Sequence, residues 1–138
     1  MSYKQFQEKD SLSFLSDLSI EQRKAVEYCD SPQLVLSGAG SGKTRVLTYK
    51  IAYLIKIKKI PSYNILALTF TNRAANEMKQ RISNLIGPES AKNIYMGTFH
   101  SIFCKILRMN ISFLPGKKYK NNFQVIDEDD VKKIMKEI

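Results

Sequence analysis

The stretch Leu34-Val35-Leu36-Ser37-Gly38-Ala39-Gly40-Ser41-Gly42-Lys43-Thr44-Arg45 constrains this chain more than any other. Three apolar residues suited to a buried strand run into a glycine-rich turn, and the turn opens a segment of helical spacing. Strand, turn and helix N-terminus together aim several backbone N–H groups at one point, where the helix dipole favours negative charge. Gly40 and Gly42 let the backbone close around a phosphate without Cβ collisions. Lys43 supplies a mobile charge for β- and γ-phosphates, and Thr44 a hydroxyl for Mg²⁺. The strict pattern GxxxxGK(S/T) has glycine where this chain has Ser37, but serine is small and Gly38 is adjacent. Ser37, Gly38, Ala39, Gly40, Ser41, Gly42, Lys43 and Thr44 are therefore candidate triphosphate-binding residues. The loop does not name the reaction, because kinases, GTPases and motors share it.

The rest of the chain repeats the strand-then-helix alternation. Short branched apolar runs fall at Gln33–Gly38, Asn64–Phe70, Asn93–Phe99 and Phe123–Asp127. Segments of helical spacing follow at Lys43–Lys59, Asn72–Ile86, His100–Asn110 and Glu128–Ile138, and a further helix, Ile20–Cys29, precedes the first run. Near-continuous apolar strands between helices predict a parallel α/β sheet flanked by helices. The punctuation agrees: Ser19 is placed to cap the first helix, Gly87-Pro88 to close the one after Asn72, and Pro115-Gly116 to turn within a loop carrying Lys117, Lys118 and Lys120. The last helix runs to Ile138 without a C-terminal cap, which suggests an incomplete domain.

Charge points to a polyanion. The 138 residues hold 22 Lys+Arg against 13 Asp+Glu, a formal +9. Ser31 to Ile126 alone holds 15 basic residues and two acids, Glu77 and Glu89, for +13. A basic interior between acidic ends fits nucleic acid before membrane, although Lys56, Lys58 and Lys59 also suit a solvated helix face. Apolar residues at 43% exclude disorder and collagen, while no apolar run approaches the ~20 residues of a membrane span. The N-terminus carries Glu8 and Asp10 and no signal-like apolar core. Cys29 and Cys104 read as reduced core thiols, and a cytoplasmic location is expected.

Three further constellations stand at expected element ends. Thr69 to Met78 places threonines, Phe70, Asn72 and Arg73 at a strand's carboxyl end, where open α/β sheets bind ligands. Phe70 could offer a ring to a base or belong to the core; Thr71 or Asn72 could contact phosphate or merely cap the helix. Gly97 to Phe103 repeats that layout, with Thr98, the single histidine His100, and Ser101 at a helix start. Gln22 stands three residues after Ser19, a capping-box spacing, yet its amide could also read an adenine edge. The acids of Phe123 to Asp130 mimic a Mg²⁺-binding strand end, but they are better explained as the favoured first turn of an amphipathic helix.

Together these residues resemble the UvrD/PcrA/Rep-type superfamily 1 DNA helicases. Leu18–Val26 is similar to the family's Q motif, Ser37–Ile55 to motif I, Ile65–Ile82 to motif Ia and Gly97–Ser101 to motif Ib, in the family's order. The family also tends to carry a small non-glycine residue where Ser37 stands. The resemblance implies a P-loop (RecA-like) fold and an ATP- and Mg²⁺-dependent 3′→5′ helicase acting on single-stranded DNA and its junctions with duplex. It implies that Gln22 bonds adenine, that Arg45 packs on the base, and that Lys43 and Thr44 hold phosphates and Mg²⁺. Phe70 would stack on a DNA base, with Thr69, Asn72, Arg73, Thr98 and His100 along the strand. Arg73 stands where the family normally has lysine, and its donor geometry differs. Residues 1–138 would then be the N-terminal part of motor domain 1A, without domains 1B, 2A and 2B and without the catalytic Asp-Glu pair. A recombination nuclease–helicase subunit, a non-catalytic single-strand-binding module and a P-loop kinase are the rival readings.

Overall fold

A computed structural model describes residues 13–115, 119–126 and 128–136. Glu8, Asp10, Gly116, Lys117, Lys118, Asp127 and Ile138, all invoked above, lie outside the described residues. The elements are α1 (Ile20–Glu27), α2 (Lys43–Lys56), β1 (Leu66–Thr69), α3 (Asn72–Ile86), α4 (Pro88–Lys92), β2 (Tyr95–Thr98), α5 (Phe99–Asn110) and α6 (Glu128–Lys136). Short 3₁₀ turns stand at Ser13–Leu15, Ser62–Asn64 and Ile111–Phe113. The chain divides into two compact units, with the boundary between Phe99 and His100.

The first unit contains the sheet, a parallel pair in which Leu66, Ala67, Leu68 and Thr69 face Tyr95, Met96, Gly97 and Thr98 in order. Helix α3 packs on both strands and on α2, and α2 also packs on α1. This is a mixed α/β arrangement with a short parallel sheet flanked by helices, as the alternating pattern predicts. Two apolar clusters build it. One joins Ile51 of α2 to Ile65, Ala67, Met78, Ile82, Ala91 and Ile94. The other joins Val46 and Tyr53, also of α2, to Leu15 and Val26. Helix α2 thus buries two faces, which is why it carries apolar residues around so much of its circumference.

Local chemistry sets the ends. Ser19 and Gln22 form the expected capping box at α1. Thr71, not Asn72, caps α3, its hydroxyl accepting from the Ala74 N–H at 3.1 Å. Gly87, at φ 86°, ends α3 and admits Pro88 at the first position of α4, a helix the periodicity did not reveal. Helix α2 stops at Lys56, three residues before the expected end. Lys59 turns left-handed at φ 57°, the Ile60 N–H returns to the Leu54 carbonyl, and Pro61 restricts Ile60.

Two expected strands are absent among the described residues. Gln33–Gly38 is not paired, and Leu34 and Leu36 are 82% and 84% exposed. Residues 123–126 are likewise unpaired, with Val125 68% exposed. Apolar content marks a segment fit for a buried strand, but a strand exists only where a neighbour supplies N–H and C=O partners. No described residue supplies them here.

In the second unit, Ile102 and Ile111 are buried. Arg108 lies over the Phe123 ring at 5.3 Å and donates to the Phe123 carbonyl at 3.5 Å. The acids Glu128, Asp129 and Asp130 occupy the first turn of α6, the position the helix dipole favours. No helix among the described residues is long and apolar enough to cross a membrane. Cys29 and Cys104 are free thiols, each half-buried.

Candidate functional site

The phosphate-loop candidate is a turn folded on itself. Gly40 and Gly42 have φ of +75° and +90°, a region that side chains with a Cβ rarely adopt. The Ser41 hydroxyl donates to the Gly38 carbonyl at 2.7 Å and closes the turn. Lys43 at the start of α2 reaches back, its Nζ donating to the Ser37 and Gly38 carbonyls at 2.8 Å each. Its ammonium is therefore held over the turn rather than spread along the helix. A Cβ placed at Gly38 would meet nothing within 4 Å, so contacts within the chain do not demand glycine there. The space beside Gly38 is open, and the first N–H groups of a helix lack partners within it. Ala39 is exposed in the turn, and Thr44 is exposed one residue into α2.

Gln22 and Arg45 flank the loop. The Gln22 side chain accepts from the Ser19 N–H at 3.2 Å and donates to the Ser41 carbonyl at 3.1 Å. Arg45 lies over the Tyr49 ring at 5.5 Å, and its guanidinium is 4.0 Å from the Asp17 carboxylate. Both ions are partly exposed, so the pair orients Arg45 more than it stabilises the fold. The Tyr49 ring stacks in turn on Phe14, centroids 6.1 Å apart. Neither Tyr49 nor Asp17 was singled out from sequence. Tyr49 was findable, because four residues after Arg45 is the same helix face; Asp17 is brought near only by folding. Lys50 is similarly unanticipated, and donates to the Ala25 and Tyr28 carbonyls. In the first turn of α1, Glu21 has its carboxyl held below the ordinary glutamate range by its own backbone N–H and by the Ser19 hydroxyl.

The second group gathers at the carboxyl ends of the strands. Thr69 and Thr98 are register partners, so the chains leaving β1 and β2 start side by side. Phe70, next after β1, is 90% exposed, which overturns the reading of it as a core residue. The Thr69 hydroxyl donates to the Thr71 carbonyl at 3.0 Å and tightens the bend that projects Phe70. Asn72 and Arg73 are exposed in the first turn of α3, which contains no acid. Thr98 is buried, whereas His100 is exposed and belongs to the second unit.

Comparison with known proteins decides the family. Residues 18–138 match the UvrD/REP helicase N-terminal domain. The chain belongs to that family. Among its relatives, the ATP-dependent DNA helicase PcrA of Staphylococcus aureus strain Mu50 is 44% identical over 126 residues. The protein of the same description from Staphylococcus epidermidis strain ATCC 12228 is 45% identical over 126 residues. Each alignment covers 91% of this chain and 17% of the relative, so the chain spans about one sixth of the relatives' length. For Mg²⁺, Thr44 offers a hard oxygen donor, and the described residues hold no group of three His, Cys, Asp or Glu that could bind an ion.

Proposed function

We propose that the protein is an ATP-dependent 3′→5′ DNA helicase and that this chain is the N-terminal part of its motor domain 1A. The observation that carries the proposal is Lys43, folded onto the carbonyls of a glycine turn at a helix start in a member of the UvrD/REP family. Ser37 to Thr44 bind the triphosphate, Lys43 leaving the Ser37 and Gly38 carbonyls for β- and γ-phosphate oxygens. Gln22 bonds the adenine edge, and Arg45, steadied by Tyr49 and Asp17, packs on the base. Thr44 holds Mg²⁺, which when bound neutralises charge on the phosphates.

Phe70 stacks on a base of single-stranded DNA, and Thr69, Asn72, Arg73 and His100 contact the strand's backbone, with Thr98 buried beside its register partner Thr69. Exposure of Phe70 and the absence of acids from the first turn of α3 support this assignment. Hydrolysis and unwinding need the second motor domain, so junction binding, the remaining domains (1B, 2A, 2B) and a cytoplasmic setting belong to the whole protein.

The test uses the full-length protein. Lys43→Ala is expected to lower DNA-stimulated ATPase and unwinding by about 100-fold or more, the scale on which removal of a charge-stabilising donor acts. Retained unwinding would sink the assignment. DNA binding indifferent to both ATP and Lys43 would favour a non-catalytic single-strand-binding module instead.

A further inference from the structure

The Gln22 amide is engaged at both ends within the chain. Its Oε1 accepts from the Ser19 N–H at 3.2 Å, and its Nε2 donates to the Ser41 carbonyl, 19 residues away, at 3.1 Å. The same Nε2 lies 2.8 Å from where a Cβ on Gly42 would stand. Glycine at 42 is required by its φ of +90°, and a Cβ there would also push the end of the Gln22 side chain aside. A capping box needs only the Oε1 contact, and base reading needs neither. The bond to Ser41 is left over by both explanations.

That bond has a directional consequence. The Ser41–Gly42 peptide is planar and trans, as no cis bond occurs among the described residues, so its C=O and N–H point in opposite directions. Gln22 draws the Ser41 carbonyl toward α1, which turns the Gly42 N–H away from α1. The Ser41 hydroxyl, donating to Gly38, secures the other side of the same residue. We infer that Gln22 is a positioning residue for the phosphate loop, setting the Ser41–Gly42 peptide so that its N–H serves phosphate whether or not a base is attached. The inference rests on the loop being a triphosphate site. It links base recognition to phosphate binding, because an amide that turns to adenine must give up Ser41 or share it.

Inorganic tripolyphosphate, which has no base, separates the roles. Its affinity for the intact protein can be measured by titration calorimetry for wild type, Gln22→Met, Gln22→Asn and Ser19→Ala, with melting temperatures recorded alongside. Gln22→Met and the shorter amide Gln22→Asn should each weaken tripolyphosphate by about 3- to 10-fold, the factor one hydrogen bond supplies. Ser19→Ala removes the hydroxyl cap but keeps the backbone N–H that Gln22 uses, and should leave tripolyphosphate affinity within about twofold. Unchanged tripolyphosphate binding in both Gln22 variants with weakened ATP binding would overturn the inference and leave Gln22 a base reader only. Equal losses in Ser19→Ala and the Gln22 variants would overturn it in favour of α1 integrity. If Lys43→Ala binds tripolyphosphate as wild type does, the triphosphate reading itself fails, and the inference with it.

Discussion

At the scale of single residues, exposure and hydrogen bonding separate groups that composition treats alike. Phe70 and Phe14 are both phenylalanines, yet Phe14 packs against the cluster of Leu15 and Val26 while Phe70 stands 90% exposed. A bend closed by the Thr69 hydroxyl and capped by Thr71 projects it, and no described residue buries its ring. Phe70→Ala should accordingly leave folding and ATP affinity unchanged and weaken single-stranded DNA by about 5- to 100-fold, the range of one stacked base. Fluorescence anisotropy with a labelled oligonucleotide reads this directly, and an unchanged Kd would remove Phe70 from the strand-binding surface. Gln22 marks what sequence can and cannot tell at this scale. Its spacing from Ser19 announced the capping box, but the bond to Ser41 joins residues whose approach depends on how α1 lies against α2.

At the scale of elements, most helix ends were legible, and two of the four expected strands pair as expected. The capping residues, Gly87-Pro88 and the apolar spacing of α3 are local features, and the observed α3, Asn72–Ile86, coincides with the expected range. Helix α1 carries a pH-dependent part of its own stability through Glu21. Its carboxyl titrates below the ordinary glutamate value, so the ionised form is favoured by folding. That contribution is complete above the ordinary value and is lost as pH falls through the depressed one. Melting of native protein and Glu21→Gln should therefore differ near neutral pH and converge in acid, with the native protein the more stable where they differ. A gap that widens in acid would contradict the hydrogen bonds assigned to Glu21. The run Gln33–Gly38 is the instructive failure at this scale. Its Leu-Val-Leu core has strand character, but strand formation is a property of a pair, and Leu34 and Leu36 are exposed without one among the described residues.

At the scale of the molecule, charge is the property no single contact explains. The +13 carried between Ser31 and Ile126 spans the phosphate loop and both strand-end groups, so one stretch faces two polyanions in the proposed function. Contacts of that kind release counterions. The logarithm of DNA affinity should fall linearly with the logarithm of salt concentration, with a slope near −0.7 per phosphate neutralised on a single strand. Arg73→Ala should make that slope shallower by about one such step, while Lys56→Ala, an exposed residue at the end of α2, should not. Equal slopes for all three proteins would place the DNA elsewhere.

Most of the helices with their caps, α4 excepted, and the glycine turn with Lys43 and Thr44 could be read from the sequence. Each of these depends on residues within a few positions of one another, where backbone sterics and local hydrogen bonds act. Only the tertiary structure decided that Phe70 is exposed, that Gln22 holds Ser41, that Arg45 rests between Tyr49 and Asp17, and which apolar runs find strand partners. These outcomes depend on groups distant in the chain meeting in space. A side chain's spacing states what it can bond, and its neighbours in the fold determine what it does bond.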